Sequence, residues 1–459
     1  MKTPIFDFVK AYADKDISRF HMPGHKGKQI LGCESMDITE IDGADVLAHA
    51  NGIIEESEKY ASELFGTENS FYSTEGSSLA IKAMLGLVAR TSVHSGVRPR
   101  ILAARNAHKA FLYACALLDL EVEWLYPEML THICNCHITP RQVENALKNS
   151  QSLPMAVYLT SPDYLGNIAD IKGIADVCHG YGIPLLVDNA HGAYLRFLSP
   201  SRHPIDLGAD LCCDSAHKTL PVLTGGAYLH ISKKADPRFC VMARDMLSVF
   251  ASTSPSYLIL SSLDLCNRYL ADHYSERLQT CVRRIEQTKS IIRSLGFCIE
   301  PTEPLKMVIH GANAGYTGTE LATQLREHKI EVEFSDEEYL VLMISPENQE
   351  HDFLRLEEAF SQLSIRTAIS TKEAFTLQKH ERVLSVREAI FSLHERIPIE
   401  KAEGRICASP TVSCPPAIPI AVSGERISYN TVKLLRRYGI KEIEVVVTGK
   451  KTALYGDLR

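Results

Sequence analysis

Short β-branched or apolar runs alternate with helix-like segments through the first half of the chain, and this alternation limits the fold most. Runs at 100–104, 155–160, 184–187, 210–213 and 226–231 suit buried strands, while 77–89, 108–120 and 171–181 carry helical periodicity. Strands alternating with helices imply an α/β fold with a mainly parallel sheet. From 257 to 295 the pattern turns long and helical, with Leu258, Leu260, Leu263 and Leu265 recurring at helical spacing. A second, smaller unit follows, with strands expected at 307–310 and 339–344 and helices at 318–328 and 349–363. The charged stretch 371–382 marks a boundary. The tail beyond it holds Cys414-Pro415-Pro416-Ala417-Ile418-Pro419 and a last strand at 443–447. The expected domains are therefore an N-terminal segment 1–45, a large domain 46–265, a small α/β domain 266–368 and a C-terminal α+β domain 369–459.

Charge and composition exclude several classes. Lys and Arg total 49 against 56 Asp and Glu, a formal charge of −7, which argues against nucleic acid or an anionic membrane as a partner. No apolar stretch is long enough to span a bilayer, and Met1-Lys2-Thr3-Pro4-Ile5-Phe6-Asp7 lacks the pattern of a secretory signal. The 13 cysteines are scattered, often within apolar runs, and read as free thiols in a reducing cytoplasm.

The segment Pro184-Leu185-Leu186-Val187-Asp188-Asn189-Ala190-His191-Gly192 places an acid at the carboxyl end of a strand, where open α/β sheets bind ligands. Thirty residues on from Asp188, a second apolar run leads into Ser215-Ala216-His217-Lys218-Thr219-Leu220-Pro221, presenting a lysine. Either residue alone reads as a cap or a solvated surface group. The ordered pair suits pyridoxal phosphate, with Lys218 as the Schiff-base amine and Asp188 paired with the pyridine nitrogen. Ser73-Thr74-Glu75-Gly76-Ser77-Ser78 precedes a helix. Alone it is an N-cap, and beside the other two sites it suits a phosphate held by Gly76, Ser77 and Ser78. His132, Cys134, Cys136 and His137 cluster without the spacing of a zinc site, so no metal is expected.

These blocks resemble the ornithine/lysine/arginine decarboxylase family. The resemblance also rests on His21-Met22-Pro23-Gly24-His25-Lys26-Gly27, Thr39-Glu40-Ile41-Asp42-Gly43-Ala44-Asp45, Arg105-Asn106-Ala107-His108-Lys109 and Ser252-Thr253-Ser254-Pro255-Ser256-Tyr257. It implies an aspartate-aminotransferase-like fold, in the short form without an added N-terminal domain. It further implies that His108 stacks on the cofactor ring, that Ser215 joins Ser77 and Ser78 on the phosphate, and that His217 touches the phosphate or the reacting centre. His191 would orient Asp188, line the ring, or simply bond to backbone within the core. A homodimer with active sites at the subunit interface is implied as well. Three blocks depart from the family pattern: at Glu75, which is expected to point away from the phosphate, and Ser77; at Asn189; and at Cys414 and Ala417.

The activity implied is decarboxylation of arginine or lysine, ornithine ranking third, to the amine and carbon dioxide, feeding polyamine synthesis. An aminotransferase or aldolase would share Lys218 and Asp188, because function lives in the site and not in the fold. A cofactor-binding regulator is the non-enzymatic alternative, disfavoured by the intact Lys218, Asp188 and His108.

Overall fold

The computed structural model describes residues 1–92, 98–135, 137–370, 373–412 and 418–447. Seven strands make the central sheet: β1 Asn69–Ser73, β2 Arg100–Ala104, β3 Glu121–Leu125, β4 Val157–Thr160, β5 Leu185–Asp188, β6 Leu211–Asp214 and β7 Ala227–Ile231. The pairs β2–β3, β2–β4 and β5–β6 are parallel, while β7 runs antiparallel to both β1 and β6. Parallel strands covered on both faces read as continuous apolar runs, and β5, β6 and β7 are buried at every position. The expected strands therefore fall where the sequence places them. β5 and β6 each extend one residue further, β5 because the ladder carries on to the pair Asp188 and Cys213, and β6 because Asp214 pairs with Tyr228 of β7.

The chain forms two compact units. The first comprises Met1–Met84, Ser161–Asp176 and Leu186–Glu373, and its strands of the central sheet lie in the order β1-β7-β6-β5. The long helical stretch is two helices, Tyr257–Ala271 and Tyr274–Ser294, because His273 between them adopts a left-handed conformation with φ 52°. No glycine or proline marks that break. A second sheet follows, made of β8 Cys298–Ile299, β9 Lys306–His310, β10 Phe334–Ser335 and β11 Tyr339–Met343 in the antiparallel order β10-β11-β9-β8. Helices Gly318–Glu327 and Glu350–Ser361 complete it. One apolar cluster runs through this unit and includes Phe65, Tyr257, Leu278, Ile309, Leu321 and Phe360. The helix Pro4–Ala13 is fastened by the buried Asp264, whose Oδ2 accepts the backbone N–H groups of Ile5 and Phe6 at 2.9 Å each. Such a carboxylate satisfies donors that have no partner inside the helix.

The second unit comprises Leu85–Thr160, Val177–Leu185 and the described part of Ala374–Arg459. Its strands of the central sheet lie in the order β4-β2-β3. The C-terminal segment adds β12 His394–Pro398, β13 Thr411–Val412, β14 Pro419–Ala421 and β15 Glu442–Val446, paired β12–β15 and β13–β14, with the helix Tyr429–Arg437. Two arginines tie this segment down. Arg387 donates to the carbonyls of Ala116 and Leu117 at the end of the helix Lys109–Leu118, the pole that favours a cation. Arg105, 2% exposed, donates to the carbonyls of Pro419 and Ile420 at 2.7 and 3.0 Å and lies over the Trp124 ring. Residues 414–417 of the proline-containing stretch lie outside the described residues. Among the described residues no helix is long and apolar enough to cross a membrane.

Candidate active site

The parallel pairing of β5 with β6 brings the two sites read from the sequence to neighbouring strand ends. Asp188, the last residue of β5, is 2% exposed, and its Oδ1 accepts the backbone N–H of Ala190 at 3.2 Å. Lys218 lies in the short helix Ala216–Thr219 that follows β6, its backbone N–H donating to the Ser215 carbonyl at 3.0 Å. Lys218 is exposed as a residue, yet protein surrounds its amine. Burial therefore lowers the Lys218 pKa below the usual lysine value; Lys306 adds to this, whereas Asp188 and Glu333 oppose it. Lys218 Nζ lies 3.2 Å from His191 Nε2, so His191 meets the lysine.

His217 is fixed differently. Its Nδ1 lies 2.9 Å from the Gly226 carbonyl, which can only accept, so Nδ1 carries the proton and Nε2 is left as an acceptor. Burial lowers its pKa, and the Lys218 charge acts in the same direction.

The expected phosphate cradle is the start of the helix Gly76–Thr91. Gly76 has φ +70°, and a Cβ placed there would meet nothing within 4 Å, so the backbone faces open space at a helix N-terminus. Ser215 Oγ donates to Ser77 Oγ at 2.8 Å, and Ser77 and Ser78 are half-buried. Glu75 is held aside, its Oε1 accepting the Ser252 N–H at 2.6 Å. His108 belongs to the second unit, where its Nδ1 accepts the Ala110 N–H at 3.1 Å and caps the helix Lys109–Leu118. An amine of lowered pKa, a buried carboxylate on the adjoining strand and hydroxyls at a helix start form the donor set that pyridoxal phosphate requires.

Other groups near this site carry no short-range sequence signal. Tyr164, 9% exposed, donates its hydroxyl to Glu333 Oε1 at 2.8 Å and sets its ring edge-on to His191 at 5.3 Å. Lys306 and Glu303 form a buried ion pair at 2.8 Å, and Lys306 Nζ also donates to the Tyr164 carbonyl. These residues come from separate segments and meet only through the topology. In the stretch considered for zinc, His132 Nδ1 accepts the Cys134 N–H at 3.2 Å and the ring packs edge-on against Tyr438. Cys136 lies outside the described residues.

Comparison with known proteins agrees with this geometry. The family model described as "Orn/Lys/Arg decarboxylase, major domain" matches residues 3–310, and that of the family's C-terminal domain matches 357–439. An uncharacterized Bacillus subtilis protein, YaaO, is 30% identical over 95% of this chain and 94% of its own. An arginine decarboxylase of Halalkalibacterium halodurans is 29% identical over 95% of this chain and 93% of its own. Among solved structures, the Francisella novicida lysine decarboxylase LdcF superimposes with a TM-score of 0.79 at 16% identity, covering 97% of this chain and 81% of that one. The chain thus belongs to the Orn/Lys/Arg decarboxylase family and is a pyridoxal-phosphate-dependent amino-acid decarboxylase.

Proposed function

We propose that this decarboxylase acts on a basic amino acid, arginine or lysine ahead of ornithine, and releases the amine and carbon dioxide at the entry to polyamine synthesis. The observation that carries the reading is the exposed Glu333 carboxylate. It is fixed by the Tyr164 hydroxyl, and the Tyr164 ring leads through His191 to Lys218. An anion two side chains from the amine suits a substrate whose α-carbon reacts at Lys218 and whose cationic end lies some atoms away. The activities named for the arginine and lysine decarboxylase relatives support the same class.

Pyridoxal phosphate, when bound, supplies the electron sink for the bond that breaks at the substrate α-carbon. In this reading Lys218 anchors the cofactor, Asp188 pairs with its ring nitrogen, and Gly76, Ser77, Ser78 and Ser215 hold its phosphate. His108 lies on the ring. His191 aims the Lys218 amine. That amine in its ammonium form, or His217 once Nε2 has taken up a proton, returns a proton to the α-carbon after the carboxyl group has left. A cytoplasmic homodimer, with segment 252–257 reaching the partner's cofactor, completes the proposal.

Incubating the purified holoenzyme with arginine, lysine and ornithine, with products identified by mass spectrometry, tests the reading. Amine and carbon dioxide from arginine or lysine are expected. Keto acid as the product would replace the reading with an aminotransferase, and turnover confined to neutral amino acids would remove the role of Glu333.

A further inference from the structure

Behind the strand ends that bear Asp188 and Lys218 lies a buried polar cluster to which nothing above gives a function. Asp214, the last residue of β6, has no exposed side-chain surface, and neither do His203 and His230. Its Oδ2 faces His203 Nε2 at 3.0 Å and His230 Nε2 at 3.2 Å, while its Oδ1 accepts Asn189 Nδ2 at 2.7 Å. Phe65 packs against both imidazoles, and Tyr228 stacks on His230. Burial works against a charge on Asp214, but the two imidazoles outweigh it and hold the carboxyl well below the usual range.

Two histidines and an aspartate also make a ligand set for a divalent cation. The protons argue otherwise. His203 Nδ1 accepts the Ile205 N–H at 3.4 Å, so Nε2 carries the ring proton and donates it to Asp214. A metal on Nε2 would move that proton to Nδ1, against another donor. The cluster is therefore an anion held by converging donors.

The donor that matters for the site is Asn189. It follows Asp188 directly, is fully buried, and gives its backbone N–H to the Cys213 carbonyl at 3.0 Å. Its own carbonyl accepts the Gly192 N–H at 2.8 Å. A Cβ at Gly192 would come within 2.0 Å of Asn189 Oδ1, so the turn carrying His191 is moulded on this side chain. On the other strand, Asp214 is followed by Ser215, which contacts Ser77 and whose carbonyl accepts the Lys218 N–H. One carboxylate thus clasps both strand ends.

We propose that Asp214 is a positioning residue: through Asn189 it holds the turn that bears Asp188 and His191 in register with Lys218. The inference rests on the assignment of Lys218 and Asp188 to the cofactor. It departs from anything read for those two residues, because Asp214 touches neither cofactor nor substrate. An asparagine at 214 can accept from only part of the donor set, and its own amide then meets a donor.

The test is a double-mutant cycle in the full-length protein on Asp214→Asn and Asn189→Ala, read by pyridoxal phosphate titration and by the pH midpoint of the visible band of the loaded enzyme. Each single variant is expected to bind the cofactor about tenfold more weakly, as when a residue supporting a ligand is lost, and to move the midpoint. The double variant is expected to be no weaker than the worse single one. Wild-type affinity and midpoint in Asn189→Ala, or losses that multiply in the double variant, would overturn the proposal. So would a stoichiometric divalent cation in the purified protein. Where Asp214→Asn does not fold, Asn189→Ala decides alone. A wild-type protein that takes up no pyridoxal phosphate would instead refute the cofactor assignment itself, a result distinguishable from all of these.

Discussion

Lys218 directs its amine at His191 Nε2 across 3.2 Å, and His191 in turn abuts Tyr164. The lysine is thus aimed by a neighbour 27 residues away that stands on the turn after the adjoining strand. His191→Leu removes that acceptor while keeping bulk. Turnover is expected to fall about tenfold, the worth of one lost hydrogen bond to a charged group, with a smaller change in cofactor affinity. Steady-state kinetics beside cofactor titration separates the two effects, and an unchanged kcat would show that the contact is idle.

Lys218→Ala is expected to abolish both the visible absorbance of the lysine-bound cofactor and all turnover. Persisting decarboxylation would remove the lysine from the chemistry. Asp188→Ala tests the other strand end: the purified protein should lose cofactor on dialysis and release carbon dioxide far more slowly.

Glu333→Gln keeps the hydrogen bond from Tyr164 but removes the charge. KM for arginine and lysine is expected to rise about tenfold or more, the scale of a charge-assisted hydrogen bond, with cofactor absorbance unchanged. Calorimetric titration with agmatine and cadaverine, the amines that arginine and lysine would yield, should show the same loss without any reaction.

The pair Lys306 and Glu303 has side chains only 2% exposed each. Glu303→Gln strands a buried ammonium group, which costs about 3–5 kcal/mol. Thermal or urea denaturation reads the effect, and a shift near zero would mean that the Asp163 and Tyr164 carbonyls suffice to hold Lys306.

Asp264 gives a pH signature of stability. Burial pushes its carboxyl up to about 6, against the bonds from Ser57, Phe6 and Ile5. A folded pKa above the unfolded one means that the folded state binds the proton more tightly. Its stabilising contribution is complete below about pH 4 and is lost as pH rises through about 6, amounting to about 3 kcal/mol. In Asp264→Asn this component is absent, so the variant's stability relative to wild type should improve between pH 4 and pH 7.

The inner parallel strands were legible because they are buried and so read as apolar runs, whereas the half-buried edge strand β3, with Glu121 and Glu123, was not; Asp188 and Lys218 stood out as polar residues at strand ends. The gap at His273 within the helical stretch 257–295 was not legible, because a left-handed histidine leaves no glycine or proline signature. Tyr164, Glu333 and the Asp214 cluster escaped for a different reason. Each is an ordinary residue in its own segment and gains meaning only beside partners brought up from far along the chain. Asn189, noted only as a departure from the family pattern, proves to be the link between Asp188 and Asp214.

The guanidinium of Arg105 donates to the backbone carbonyls of Pro419 and Ile420. A chain cut before residue 419 would keep this cation in the interior and forfeit these two acceptors. The C-terminal tail is in that sense a plug for a positive charge lodged beside the sheet, and shortening it would unsettle that buried cation before it altered any surface.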